Sequence, residues 1–203
     1  MVKAQIILAF DTSGAHCAAA LLCGDRIILR DEAMAKGQAE RLVPLLEEML
    51  AEAGIAWGDL CAIGVGTGPG NFTGVRISVA LARGLALSLG VPAIGVTALE
   101  AMAFGATLPV TVVIDARRDE VYVQGFWGGG PGPAQLIAGA AGTGAAMGGI
   151  IGLGGGAPKF ALAEAVARIA ALRMHSPYPR PAPFYVRGAD AAPPSDPPPV
   201  ILP

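Results

Sequence analysis

The sequence predicts an α/β protein with two lobes, and two observations support that prediction. Short apolar strand patterns alternate with helical patterns through most of the 203-residue chain. An apolar strand that ends in aspartate and turns into a hairpin occurs at residues 6–11 and again at residues 110–115. The repeat indicates a duplicated fold with a cleft between its halves. We divide the chain into an N-terminal lobe, residues 1–100, and a C-terminal lobe, residues 101–203.

Five strands are predicted in the first lobe. The first three apolar runs are separated by short turns containing Gly14 and Gly24, which is typical of an antiparallel meander. The last two runs are short and continuous, as expected of buried strands. We therefore expect strands at residues 6–10, 16–22, 27–30, 62–65 and 93–96.

The first predicted helix is amphipathic. Leucine, methionine and alanine recur at helical spacing over residues 42–53, and Gly54 is well placed to end the helix. Pro44 is compatible with the first turn of a helix or with a kink, so the regular part is expected to begin near Glu40.

The second predicted helix, residues 72–89, is apolar almost all round. Its only charged residues are Arg76 and Arg83, seven positions apart and therefore on roughly one face. A helix of this kind needs cover on more than one side. We expect one side to pack on the sheet and another to contact the first helix and possibly a second protein.

The second half repeats the pattern with less material for a core. We expect strands at residues 110–114, 121–126 and 150–153 and a helix at residues 159–174. The intervening segment, residues 128–149, is rich in glycine and alanine and has no charged residue. The proline-rich tail, residues 184–203, is expected to be extended or disordered at the surface.

Composition argues for a reduced, cytoplasmic protein. A net charge of −2 gives no broad electrostatic reason to hold a nucleic acid or an anionic membrane. The three cysteines are dispersed and do not form a disulfide or zinc pattern. The apolar run near the N-terminus is too short for a secretion signal or a membrane span, so we expect no membrane association.

A glycine-rich loop between the fourth strand and the second helix is the most specific motif. Its sequence from residue 64 to residue 76 is GVGTGPGNFTGVR, which fits neither a P-loop nor a dinucleotide fingerprint. It could hold an anion on backbone amides or form a structural tight turn, and we favour the turn. The residues concerned are Gly66, Gly68, Gly70, Asn71, Thr73 and Gly74.

A second candidate site follows the first strand, where Asp11, Thr12 and Ser13 form a turn. A carboxylate at this place could hold Mg²⁺ through water in a nucleotide site. We favour a structural carboxylate that accepts hydrogen bonds from the turn. The two histidines, His16 and His175, are far apart in the sequence, so we expect no metal site and no catalytic residues.

Five segments give the chain a family resemblance that covers residues 7–126. They are ILAFDTS from residue 7, AERLVPLLEEML from residue 39, the glycine-rich loop, VPAIGVTALEA from residue 91 and DARRDEVYVQ from residue 115. The chain resembles the TsaB family of tRNA threonylcarbamoyladenosine biosynthesis proteins, which are YeaZ-like homologues of the glycoproteases. The resemblance implies the duplicated ribonuclease-H-like fold of the actin, sugar kinase and Hsp70 superfamily.

The resemblance also implies a function. Members of the family are non-catalytic subunits that bind a TsaD-like catalytic subunit, with a TsaE-like ATPase joining, and contact tRNA only through the complex. No cofactor is implied, apart from a possible nucleotide at the partner interface, and the chain alone is expected to form a homodimer. The implied interface lies on the first two helices, at Leu42, Leu45, Met49, Arg76, Val79 and Arg83.

Two other functions remain open at this point. A stand-alone ATPase or kinase of the same fold would use Asp11 and the glycine-rich loops. A metallopeptidase is suggested only by the older name of the family, and the absence of paired histidines argues against it.

Overall fold

A computed structural model describes residues 5–139 and 148–186, which form ten β-strands and four α-helices. The elements of the first half are β1 (Ile6–Asp11), β2 (His16–Cys23), β3 (Arg26–Ala33), α1 (Gln38–Ala53), β4 (Ala62–Gly66), α2 (Phe72–Leu89), β5 (Ala93–Val96) and α3 (Ala98–Ala103). Those that follow are β6 (Val110–Arg117), β7 (Glu120–Trp127), β8 (Gly130–Pro131), β9 (Gln135–Ala138), β10 (Gly149–Gly152) and α4 (Leu162–Arg173).

The first sheet has the strand order β3-β2-β1-β4-β5. β1, β2 and β3 form the predicted antiparallel meander, and β1 pairs in parallel with β4 on its other side. Leu8 and Phe10 of β1 pack against α1 and α2 on one face of this sheet. Ile7 and Ala9, which alternate with them along the strand, face α4 on the opposite side.

The second sheet repeats the pairing of the first. β6 is antiparallel to β7 and parallel to β10, as β1 is antiparallel to β2 and parallel to β4. β8 and β9 both pair with β7, in the position that β3 occupies in the first sheet. The α/β class and the duplicated, ribonuclease-H-like fold are thereby confirmed.

The last helix lies against the first sheet and not the second. α4 was expected within the second lobe, but Val166 and Ala170 pack with Ile94 and Val96 of β5 on the first sheet. The second sheet is covered instead by α3, whose Leu99 joins the core of β6, β7 and β10. The sequence analysis did not predict α3, and the lobe boundary at residue 100 stays a prediction.

The boundaries of the first two helices follow the sequence signals. α1 begins two residues before Glu40 and accommodates Pro44 in its second turn. It ends at Gly54, whose φ of 66° is the left-handed conformation that favours glycine. α2 spans the predicted residues, starts with Asn71 as its N-cap and ends at Gly90.

Two predicted segments lie partly outside the described residues. Within residues 128–149, the structure places β8 and β9, which the sequence analysis missed, and the first residue of β10, the strand predicted at residues 150–153. Residues 140–147 lie outside the described part. Of the tail, only residues 184–186 are described.

All three cysteines are free, and burial raises the pKa of the Cys17 thiol to about 11.

Four of the six predicted interface residues are core residues, so that part of the prediction is wrong. The side chains of Leu42, Leu45 and Met49 are fully buried and Val79 is 3% exposed, because they form the face of each helix that covers the first sheet. Their periodicity reflects packing within the chain. Only the arginines of the predicted set lie on the surface, and their partner contacts stay a prediction.

Candidate functional site

The turn after β1 and the glycine-rich loop after β4 pack together at the base of the cleft. Asp11 lies at the centre of this packing and is fully buried. Its Oδ1 accepts hydrogen bonds from the Ser13 backbone N–H and the Ser13 hydroxyl, each at 2.8 Å. The predicted structural bonds within the turn are therefore confirmed.

His16 is a partner of Asp11 that the sequence analysis missed. Its Nε2 lies 2.9 Å from Asp11 Oδ1, and the side chain of His16 is 23% exposed. The hydrogen bond to Asp11, with the nearby charges of Asp11 and Asp31, raises the pKa of His16 despite the opposing effect of burial. The available signal was the placement of an aspartate and a histidine at the two ends of one hairpin turn.

The other carboxylate oxygen of Asp11 has an unusual position. Oδ2 is the one buried side-chain nitrogen or oxygen without a hydrogen-bond partner among the residues described. It packs over Gly66, where an added Cβ would lie 1.8 Å away. Glycine at this position therefore makes room for the carboxylate.

Two further glycines allow the two backbones to approach each other. A Cβ on Gly70 would lie 2.4 Å from the Ser13 carbonyl oxygen, and a Cβ on Gly74 would lie 1.9 Å from the Thr12 carbonyl oxygen. Contacts below 3.0 Å are essentially never made by real Cβ atoms. These glycines therefore serve close backbone packing, which is the structural interpretation of the motif.

Hydrogen bonds fasten the loop to the turn. The Thr12 hydroxyl donates to the Gly74 carbonyl at 2.6 Å, and the backbone N–H of Asn71 donates to the Ser13 carbonyl at 2.6 Å. Asn71 also caps α2, because its side-chain oxygen accepts from the Gly74 amide at 2.9 Å. Of the remaining motif residues, Thr73 is exposed, and Gly68 has the left-handed φ of 89°.

The cleft above this packing has a volume of about 560 Å³. Ser13 and His16 line it from the first lobe, and Asp115 and Arg117 line it from the charged turn of the second lobe. Asp11 is absent from the lining because its carboxylate points into the packed turn.

No group of three or more histidine, cysteine, aspartate or glutamate residues that could hold a metal ion occurs within residues 5–139 and 148–186. His175 is exposed, and its Nε2 lies 3.2 Å from Nε2 of Gln5.

The surface of α2 carries a continuous exposed row that we call the outer stripe. Its members are spaced four, four, three and four residues apart, which places them on one side of the helix: Phe72, Arg76, Ala80, Arg83 and Leu87. Leu87 is 85% exposed and Phe72 is 53% exposed. Exposed phenylalanine and leucine side chains in one row with arginines, on a water-facing helix, are typical of an interaction surface.

By length and composition alone, α2 would also qualify as a membrane span. Its mean hydropathy is 1.3, and 28% of its residues are buried. Val75 and Val79 nevertheless pack in the core beside the first sheet, and the N-cap is bonded to the β1–β2 turn. We therefore interpret the exposed apolar residues as a surface for contact with another protein and not with a membrane.

The neighbouring surface of α1 is polar and internally paired. Arg41 makes ion pairs with Glu32 of β3 and Glu48 of α1, and these pairs lower the pKa of both carboxyl groups. Arg30 pairs with Glu52 between the same two elements. These ion pairs attach α1 to the edge strand β3 of the first sheet.

A segment after α4, which we call the strap (residues 175–186), returns along α2. The Phe184 amide donates to the Thr67 carbonyl at 2.8 Å, which attaches the strap to the end of β4. Tyr185 stacks on Phe72 with ring centroids 5.3 Å apart, and its hydroxyl accepts from Arg76 Nε at 2.9 Å. The strap therefore covers part of the N-terminal end of the outer stripe.

Comparison with known proteins identifies relatives of the chain. A family model described as TsaD, tRNA N6-adenosine threonylcarbamoyltransferase, matches residues 31–129. The tRNA threonylcarbamoyladenosine biosynthesis protein TsaB of Escherichia coli (strain K12) is 39% identical over 121 residues, which are 57% of this chain and 52% of that protein. Mycobacterium bovis protein Mb3455c is 36% identical over 157 residues, 68% of this chain and 74% of that protein.

Two structures from Pseudomonas aeruginosa are also similar. A protein described as similar to the peptidase YEAZ has a TM-score of 0.70 and 28% identity, covering 90% of this chain and 100% of its own. YeaZ itself has a TM-score of 0.57 and 36% identity, covering 66% of each chain. The chain spans about half the length of the Escherichia coli TsaB that it matches.

Proposed function

The chain belongs to the TsaB family of YeaZ-like proteins, and from this membership we propose that it is a non-catalytic subunit in the synthesis of threonylcarbamoyladenosine on tRNA. In this role it binds and activates a TsaD-like catalytic subunit, which performs the threonylcarbamoyl transfer. The outer stripe of α2 supports the proposal, since it exposes apolar side chains along a helix that otherwise packs well in its own lobe.

The interface we propose differs from the set expected from the sequence. Leu87 and Phe72 provide apolar contacts at the two ends of the stripe, and Arg76 and Arg83 lie between them. Aromatic and arginine residues are enriched among those that contribute most of the free energy of an interface.

A supporting role without catalysis is favoured by the position of Asp11. Oδ1 of its buried carboxylate accepts bonds from the turn and from His16, and Oδ2 is packed over Gly66. Gly66, Gly70 and Gly74 pack against that turn, and their close contacts occupy the space beside it. The proposal assigns this region to stabilising the lobe that presents α2.

The proposal extends to the other members of the assembly. A TsaE-like ATPase joins the complex, tRNA is held through the complex, and any nucleotide belongs to the interface between subunits. In the absence of its partner the chain pairs with itself through the same exposed stripe. All these events take place in the cytoplasm.

The experiment that tests the proposal is copurification with the TsaD-like protein of the same organism, followed by a threonylcarbamoyl transfer assay on tRNA. Leu87→Glu introduces a charge into the apolar contact at the C-terminal end of the stripe, and we expect it to weaken binding at least about tenfold. Leu172→Glu is the matched control, because Leu172 of α4 is 74% exposed and lies outside the stripe.

Three results would decide between the proposed functions. Binding and transfer that depend on the chain, that are lost in Leu87→Glu and kept in Leu172→Glu, support the scaffold. Equal binding by both variants would remove the outer stripe from the interface. Steady ATP turnover by the chain alone, abolished in Asp11→Ala, would instead establish a stand-alone ATPase.

A further inference from the structure

A pocket lined by three arginines lies at the C-terminal end of α2. It has a volume of about 490 Å³ and is bounded by α2, the edge strand β5 and the strap. Arg83 comes from α2, Arg173 from the end of α4 and Arg180 from the strap. Its lining contains no aspartate or glutamate among the described residues.

The three arginines differ in what they contact. Arg173 is paired with Glu100 and donates to the Tyr178 hydroxyl at 2.9 Å, and the pair raises the pKa of Arg173. Arg83 and Arg180 make no hydrogen bond or ion pair within the described part of the chain. Two guanidinium groups at one pocket are therefore available to a ligand.

The pocket concentrates positive charge in a chain that is acidic overall. The net charge is −2, so this local arrangement is not a consequence of a generally basic surface. Guanidinium groups bind phosphate through paired N–H donors, a geometry that the ammonium of lysine does not reproduce. Leu87 and Pro92 add apolar side chains to the lining.

The inner surface of the pocket is fixed by the strap. The Tyr178 hydroxyl donates to the Gly95 carbonyl at 3.1 Å, and Pro181 is buried and lies against Gly95. Arg180 lies between these two anchored residues, so its backbone is held in place. The structure thus presents the Arg180 side chain from a fixed position.

We propose that this pocket binds a phosphate group, presented either by a free nucleotide or by an RNA backbone. The inference goes beyond the proposed scaffold function and does not depend on it. Arg180 lies on the strap and not on the outer stripe of α2, so substitutions there separate ligand binding from partner docking. Arg173 is already paired with Glu100, so Arg83 and Arg180 make the main contacts with the phosphate.

The test uses the purified full chain with three probes, inorganic phosphate, AMP and a tRNA transcript. Binding of phosphate and AMP is followed by calorimetry, and binding of tRNA is followed by filter retention over a range of salt concentrations. We expect Arg180→Ala to weaken binding about tenfold or more and Arg180→Lys to restore it only in part. Arg26→Ala removes an exposed arginine at the start of β3 and should leave binding unchanged.

The two sources of phosphate give different results. A free-nucleotide site binds AMP saturably. A site for the RNA backbone binds tRNA with an affinity that falls with salt, and the slope of log affinity against log salt concentration should become shallower by about one in Arg180→Ala. The proposal is overturned if the wild-type chain binds none of the three probes, or if Arg26→Ala weakens binding as much as Arg180→Ala. Loss of protein-partner binding alone in Arg180→Ala would also overturn it, since the pocket would then serve a carboxylate of the partner. Unchanged thermal unfolding of each variant excludes loss of the fold as the cause.

Discussion

Replacing Gly74 by alanine should destabilise the protein, although alanine is the better helix former. An added Cβ would lie 1.9 Å from the Thr12 carbonyl oxygen, so α2 and the β1–β2 turn would have to separate by about 1 Å to reach the 3.0 Å limit of real Cβ contacts. This separation would break the hydrogen bonds that Thr12 and Asn71 make across the contact.

The size of the effect follows from three contributions. Overpacking of a buried contact costs about 1–3 kcal/mol, and each lost hydrogen bond costs about 1 kcal/mol. The gain in helix propensity returns about 1 kcal/mol. We therefore expect Gly74→Ala to lower the free energy of unfolding by about 2–4 kcal/mol.

Gly84→Ala is the matched control in the same helix. Gly84 is exposed, and an added Cβ there meets nothing within 4 Å, so alanine should stabilise the protein by about 0.5–1 kcal/mol. Urea unfolding followed by circular dichroism measures both variants. Equal stability of the two, or a stabilised Gly74→Ala, would refute the assignment of Gly74 to close backbone packing.

Two further predictions concern the core and the buried ion pair. His16→Gln should flatten the pH dependence of stability: the raised pKa of His16 means that its contribution is complete below its ordinary value of 6.5 and disappears as the pH rises through the folded-state value. Denaturant unfolding of both proteins from pH 6 to pH 9 measures this, and an unchanged slope would show that the pair with Asp11 does not titrate in this range. Leu45→Ala should cost about 2–5 kcal/mol, because Leu45 is fully buried in the core between α1 and the first sheet. Calorimetric unfolding checks it, and a stability loss below about 0.5 kcal/mol would indicate a surface position.

The sequence predicted most of the first lobe because its signals are local. Gly54 ends α1, Asn71 caps α2, and the two turns at Gly14 and Gly24 define the meander. Each signal depends on residues within one turn or one hairpin. The order of strands in the first sheet then follows from the meander and two parallel crossovers.

The surface and the core of α1 could not be separated by the same reasoning. Helical periodicity shows that Leu42, Leu45 and Met49 share a face, but it does not show whether that face meets the chain's own sheet or a partner. The first sheet has apolar residues on both sides, so it needed both the α1–α2 layer and α4. The outer stripe of α2 could be recognised only once the structure showed which side of the helix packs on the first sheet.

The candidate site was only partly accessible from the sequence. The contact between Asp11 and the turn was expected, whereas the contact with His16 and the close packing of Gly66 depend on distances across the sheet. The arginine pocket joins Arg83 to Arg180, which are almost a hundred positions apart in the sequence, through the path of the strap. No local pattern predicts such a path.

The position of α4 makes the first sheet depend on the last part of the chain during synthesis. Until residues 162–173 have left the ribosome, the face formed by Ile7, Ala9 and Val96 remains open to water and to other nascent chains. The first half can pair its strands early, but it becomes fully covered only after α4 has been made. A chaperone that holds this face during translation would therefore have to remain bound while the whole second sheet is made.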